Sequence, residues 1–216
     1  MKTIAAYVMV AAGSLSGASA AELLITNVVV GPGDTLYANQ DGTLMNGGSV
    51  HMGYFPVTVT SAELDTIPKL LSQLSSFTNV VSGVPGTFSE SLGGSFPGYV
   101  DQRDWVRAAM IDFEHPLHGR MIYSIVTDAP DLSSVSLQSQ FALLAIAKFR
   151  YDLPLEEQYT SNPADLAPII GTLGTFHGDA GAGEGVYLTL EMDVVPEASV
   201  GWMMALGGAV VFRRRR

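Results

Sequence analysis

The stretch FALLAIAKFRY, residues 141–151, admits two readings, and the fold class turns on the choice. Its alanines and leucines suit a helix. The runs around it argue instead for a strand, because they are short, β-rich and separated by Gly, Pro, Asn and Asp. Before it come LLITNVVV (23–30) with the breaker Gly31-Pro32-Gly33, DTLYANQDGTLM (34–45) with a hairpin turn at Asp41-Gly42, SVHMGYFPVTVT (49–60), VRAAMIDF (106–113) and RMIYSIVTD (120–128). After it come PIIGTLGTF (168–176) and GVYLTLEM (185–192). Repeated strands with short turns predict an all-β fold, a mostly antiparallel β-sandwich with one short helix. Alternation along these strands nominates Ile25, Val29, Phe55, Leu71, Ile122, Ile125, Phe141, Ile146, Leu188 and Leu190 for the core.

The helix is expected over residues 61–75. Thr60-Ser61-Ala62-Glu63 has the order of a capping box, in which the glutamate reaches back to the residue that starts the helix. Leu64, Ile67, Leu71 and Leu74 follow helical spacing. Pro68 should kink the helix or delay its start, because proline has no backbone N–H to donate. The expected place of this helix is over an open end of the sandwich, with its apolar stripe inside.

The two ends of the chain have a different character. MKTIAAYVMVAAGSLSGASA, residues 1–20, has a positive charge at Lys2, an apolar run over 4–12 and small residues at Ala18 and Ala20. That pattern is a secretory signal peptide for signal peptidase, with cleavage before Ala21. The run is too short for a bilayer, which takes about 20 residues. At the other end, Val195-Pro196-Glu197 precedes an apolar segment over 199–212 and then Arg213, Arg214, Arg215 and Arg216. A helix over that segment would extend about 21 Å against a hydrocarbon core of about 30 Å. Snorkelling arginines extend its reach and hold its end in the cytoplasm, which makes it a transmembrane stop-transfer segment. Residues 21–193 then form one extracytoplasmic domain.

Composition narrows the class of that domain. The chain has no cysteine, which excludes disulfides, thiolate metal sites, a cysteine nucleophile and lipid attachment through cysteine. Stability must come from a core, and a domain of this size buries roughly 70% of its unfolded surface. The net charge is −10, although nearly half of the 11 basic residues are Lys2 and Arg213 to Arg216. The region between is therefore more acidic than the whole and repels nucleic-acid phosphates. The positive mean hydropathy comes partly from the two apolar ends.

The tail, with its Pro-Glu pair, glycine-containing apolar run and terminal arginines, resembles the PEP-CTERM sorting signal of bacterial exported proteins. That resemblance implies recognition and processing by an exosortase, a membrane-embedded cysteine transpeptidase-like enzyme. Ala198 stands where the family usually has a second proline, which bears on processing efficiency. It covers about the last 22 residues. GRMIYSIVTDAP followed by SQFALLAIAKFRYDLP is also similar to a strand pair of small exported PEP-CTERM proteins, a likeness that carries no activity with it.

Candidate chemistry is sparse. DFEHPLH brings Asp112, Glu114, His115 and His118 together, as an acid-base or metal cluster would, with His51 or His177 as the distant ligand. A polar strand end before Pro116 explains it as well. HGDAGAGEG (177–185) offers Asp179 and Glu184 to calcium but lacks regular ligand spacing and reads as a loop. NQDG (39–42) reads as a turn. There is no Gly-x-Ser-x-Gly elbow, Walker loop or dinucleotide fingerprint, and no cofactor is expected. The expected function is that of an exported, non-enzymatic envelope or extracellular-matrix protein associated with exopolysaccharide. The alternative is a secreted hydrolase or metal-dependent glycan-active domain.

Overall fold

The computed structural model describes residues 21–26, 35–89, 93–106, 117, 119–149, 158–160, 167–177 and 184–193. In chain order the strands are β1 (Ala21–Thr26), β2 (Thr35–Ala38), β3 (Ser49–Tyr54), β4 (Thr78–Gly83), β5 (Phe88–Ser89), β6 (Gly94–Ser95) and β7 (Asp101–Val106). They continue as β8 (Met121–Thr127), β9 (Gln140–Lys148), β10 (Gln158–Thr160), β11 (Pro168–Ile170), β12 (Thr172–His177), β13 (Glu184–Thr189) and β14 (Glu191–Met192). The described fold is all-β with one short α-helix, α1 (Ile67–Gln73). Among the described residues no helix is long and apolar enough to cross a membrane.

The central sheet runs β11-β9-β8-β3-β4, with β14 also on β9. Its β3, β4, β8 and β9 ladders are antiparallel. Residues 140–148 are thus a strand, and their apolar continuity has a simple cause: both faces of β9 are covered. Ala142, Leu144 and Ile146 point to one cluster, with Val50, Met52, Ile122 and Val126. Phe141, Leu143 and Ala145 point to the other, with Tyr123 and Ile125. A strand covered on both sides carries no polar alternation.

The first cluster is closed by smaller sheets. Ile25 comes from the β10-β1-β7 sheet, and Tyr37, Leu173 and Leu188 come from the β12-β13-β2 sheet. Most pairings are antiparallel, but β1 with β10 and β2 with β13 are parallel. The expected run at 168–176 is split at Gly171, whose φ is +104°. Before it β11 pairs with β9; after it β12 pairs with β13. Its φ is one that L side chains avoid, and a Cβ there would stand 3.0 Å from Ala142 Cβ. Leu190 makes the matching break on the return, so β14 rejoins β9 at Phe141 and Gln140.

The second cluster is closed by the helical segment, which lies over a face of the central sheet and not over an open end. Leu64, Ile67 and Leu70 are buried against Phe55, Tyr123, Ile125, Phe141 and Leu143. The helix expected over 61–75 is shorter and interrupted: a 3-10 turn at Ser61–Glu63, then α1, then a 3-10 turn at Leu74–Ser76. Pro68 lies in the first turn of α1, where its missing N–H costs nothing, and so delays the helix to Ile67. The reach-back of the capping box is present, with the Thr60 amide donating to Glu63 Oε2 at 2.8 Å. The strand expected to run on to residue 60 ends at Tyr54, and the Val59 amide turns back to the Pro56 carbonyl at 2.9 Å.

Of the nominated core, Ile25, Phe55, Ile122, Ile125, Phe141, Leu188 and Leu190 are buried, and Leu71 and Ile146 are half-buried against the clusters. Val29 lies outside the described residues. Asp41-Gly42 forms the expected turn: Gly42 has φ +83°, the Asn39 amide donates to the Thr43 carbonyl at 2.8 Å, and Asp41 Oδ1 accepts from the Thr43 amide and hydroxyl at 2.9 and 2.6 Å. The Gln40 amide donates to Gln140 Oε1 at 2.6 Å, which ties this turn to the start of β9.

Candidate functional site

The side chains that break the apolar rule are the place to look for chemistry, because a buried polar group costs free energy unless it is satisfied. Among the described residues the buried polar set is Ser49, His51, Ser124, Thr127 and Ser139. Three are accounted for by the β8–β9 connection. The Ser49 hydroxyl donates to the Ala129 carbonyl at 2.8 Å, Thr127 Oγ1 accepts from the Ala129 amide at 3.2 Å, and Ser139 Oγ accepts from the Ser136 amide at 3.0 Å. His51 and Ser124 remain, and the Ser124 hydroxyl points away from His51, since Ser124 pairs with Met52 on β3.

His51 sits in β3 between Val50 and Met52, which face the first cluster, so its ring takes the opposite face. Its register partners are Ile125 on β8 and Ser82 on β4. Nδ1 lies 3.0 Å from Ser82 Oγ, and the Asn79 amide group donates to the same oxygen at 2.7 Å. The ring is only 6% exposed, and Nε2 is fully buried without a hydrogen-bond partner among the described residues. Burial pushes the imidazole below its ordinary value near 6.5, while the hydrogen bond from the Asn79 side and the Asp131 charge pull more weakly the other way. A neutral imidazole results, half satisfied and shielded.

The carboxylate that acts on it is held ionised by local donors. Asp131 Oδ1 accepts from the Ser133 hydroxyl and amide at 2.6 and 2.8 Å and from the Ser134 hydroxyl and amide both at 2.9 Å. These bonds hold its carboxyl below the usual range, the Ser133 side chain most. Tyr123, which shares the face with His51, is pushed up by burial and stays neutral.

No protein-family model, curated protein or solved structure matches the chain. The site therefore stands on its geometry.

The sequence named His51 as a distant ligand for DFEHPLH. Among the described residues no group of three or more His, Asp or Glu side chains could hold a metal ion. Asp112, Glu114, His115, His118 and Asp179 lie outside the described residues, as do Ala18, Ala20, the sorting residues Val195, Pro196 and Glu197, and Arg213, Arg214, Arg215 and Arg216. His177 and Glu184 are register partners where β12 and β13 meet. Ala21 opens β1, opposite Val106. Ser82, Asn79 and Asp131 were not legible as partners of His51. The one sequence signal was a histidine in the apolar SVHMGY at an inward position.

Proposed function

We propose that the chain is an exported bacterial envelope or extracellular-matrix protein, delivered by signal peptidase cleavage at its start and exosortase processing at its end, with a non-enzymatic β-sandwich domain that associates with exopolysaccharide. The observation that carries this reading is the tail, with Val195-Pro196-Glu197, the short apolar segment and four arginines in the order of a sorting signal. The net charge of −10 supports partners other than nucleic acid. The two processing points also suit the fold. Cleavage before Ala21 leaves β1 whole, and β14 ends at Met192, so a cut at the Pro-Glu motif removes no described strand.

The two parts of the tail have different chemistry. Pro196 fixes its backbone torsion and disfavours helix at Val195, which presents Glu197 in extended form outside the bilayer. Arg213 to Arg216 hold the end at the inner leaflet, each charge contributing about 1 kcal/mol of attraction to anionic lipid. Pro196→Ala combined with Glu197→Gln is expected to leave insertion intact and abolish processing, so that an uncleaved membrane form accumulates in a host carrying an exosortase. Cleavage and release at the wild-type level would instead leave a plain tail anchor as the better account. Mass spectrometry of the exported wild-type protein is expected to find Ala21 at its start; a species that retains Lys2 would refute export by signal peptidase.

A further inference from the structure

We infer that His51, Ser82 and Asn79 form an acid-operated latch that holds β4 on the central sheet, and that adding a proton to the imidazole releases the strand. The inference stands apart from the sorting reading, because it concerns the described strands alone.

The geometry defines the latch. Among the described strands β4 closes one end of the central sheet and is paired there only with β3, through a ladder that shifts register between Met52 and Gly53. Its polar side-chain tie to that sheet runs from Asn79 through Ser82 to His51, while Val81 anchors its other face in the first cluster with Val50 and Met52. Ser82 and Asn79 are exposed, whereas the imidazole behind them is not. A proton from solvent thus has a short way to travel, but its destination cannot hold it as built.

Either neutral tautomer fits Nδ1: the Ser82 hydroxyl donates to a bare Nδ1, or Nδ1–H donates to Ser82 Oγ. The charged ring has no such choice. Nδ1–H must donate to an oxygen that already accepts from Asn79, and Nε2–H becomes a buried cationic donor with no acceptor among the described residues. Such a group is strongly disfavoured unless it reaches water. The nearest outlet is past Ser82, at the end of the sheet.

The surrounding groups do not remove that cost. From β8 the face carries Ile125 and neutral Tyr123; from β4 it carries Ser82 and Asn79, neither charged. The helical segment contributes Leu64, Ile67 and Leu70, and its Lys69 and Asp65 pair with each other at 2.6 Å on the exposed side. Ile25 of β1 lies with Val50 and Met52, on the other face. The Asn79 side chain and, after it, Asp131 favour the charged ring, but burial outweighs both.

The direction with pH follows. The unfolded or opened ring binds its proton near 6.5 and the closed ring only at lower pH. The latch is at full strength above about pH 6.5 and weakens as pH falls toward the closed value, by at most about tenfold in the opening equilibrium per pH unit. Hydrogen exchange of the full chain at pH 7.5 and 5.0, corrected for intrinsic rates, is expected to show protection at 78–83 falling about tenfold more than at 140–148. In His51→Gln that difference should vanish. Equal protection at both pH values in the wild type, or a loss that survives in His51→Gln, would overturn the latch. Should His51→Gln not fold, titration of the wild-type His51 ring by NMR decides: a midpoint below 6.5 is required, and one at or above 6.5 refutes it. Ser82→Ala should lower protection of 78–83 already at pH 7.5; unchanged protection there would also refute it.

Discussion

Phe141→Ala is expected to cost about 4 kcal/mol, a large share of the roughly 5–15 kcal/mol by which a domain of ordinary stability stays folded. The ring is fully buried at the start of β9, in the cluster where the helical segment meets the central sheet. That cluster draws on separate parts of the chain: Phe55; Leu64, Ile67 and Leu70; Tyr123 and Ile125; and Ile170. Elements held by their own ladders and turns collapse poorly into a ring-sized void, so the cavity penalty adds to the lost transfer energy. Leu137→Ala, half exposed in the preceding connection, is the control and should change stability by no more than about 0.5 kcal/mol. Urea denaturation followed by circular dichroism reads both. A loss below about 1 kcal/mol for Phe141→Ala would show that the two layers do not meet at this ring.

Gly53→Ala is expected to cost roughly 3 kcal/mol through crowding and not through a cavity. Gly53 pairs with Asn79 on one side and Tyr123 on the other, next to the register shift in β3. A Cβ there would overlap the Thr78 carbonyl oxygen and stand 2.9 Å from Phe77 Cζ. The first obstacle is backbone, so the β3–β4 ladder itself must move. Gly42→Ala provides the contrast: its Cβ would meet nothing within 4 Å, and its cost comes from a φ of +83° alone. A ranking in which Gly42→Ala is the more damaging, in thermal melts of the two variants, would refute the close β3–β4 approach.

Residues 141–151 show what a sequence discloses about such a fold. The strand reading of this run rested on its neighbours, because a strand covered on both faces loses the alternation that would mark it. Pro68 was legible as a kink or a delayed start, because its effect on a helix is local, and the delayed start is the one that occurs. Other features depend on partners far along the chain. TNVVSG and DQRDWV carry too few apolar residues to announce β4 and β7, which are specified mainly by pairing with β3 and β1. The continuous strand read through 168–176 is broken by one glycine, and nothing local says that its halves serve different sheets. The same holds for the polar site. His51 was read only as a candidate distant ligand, and its partner Ser82 lies on a strand the sequence did not disclose.

The two parallel pairings govern when the fold can be completed. Thr35 is in register with Val186, and Glu22 with Gln158, so most of the chain lies between the members of each pair. A chain that emerges amino end first presents β1 and β2 long before β10 and β13 exist. The antiparallel ladders of β3, β4, β8 and β9 have nearer partners and are free to form earlier, while the early strands wait with unpaired edges. Such long-range closures are slow because loop entropy is lost before any contact rewards it. Assembly is therefore gated by arrival of the carboxyl-terminal strands, which keeps the polypeptide in an incompletely folded condition through most of its emergence.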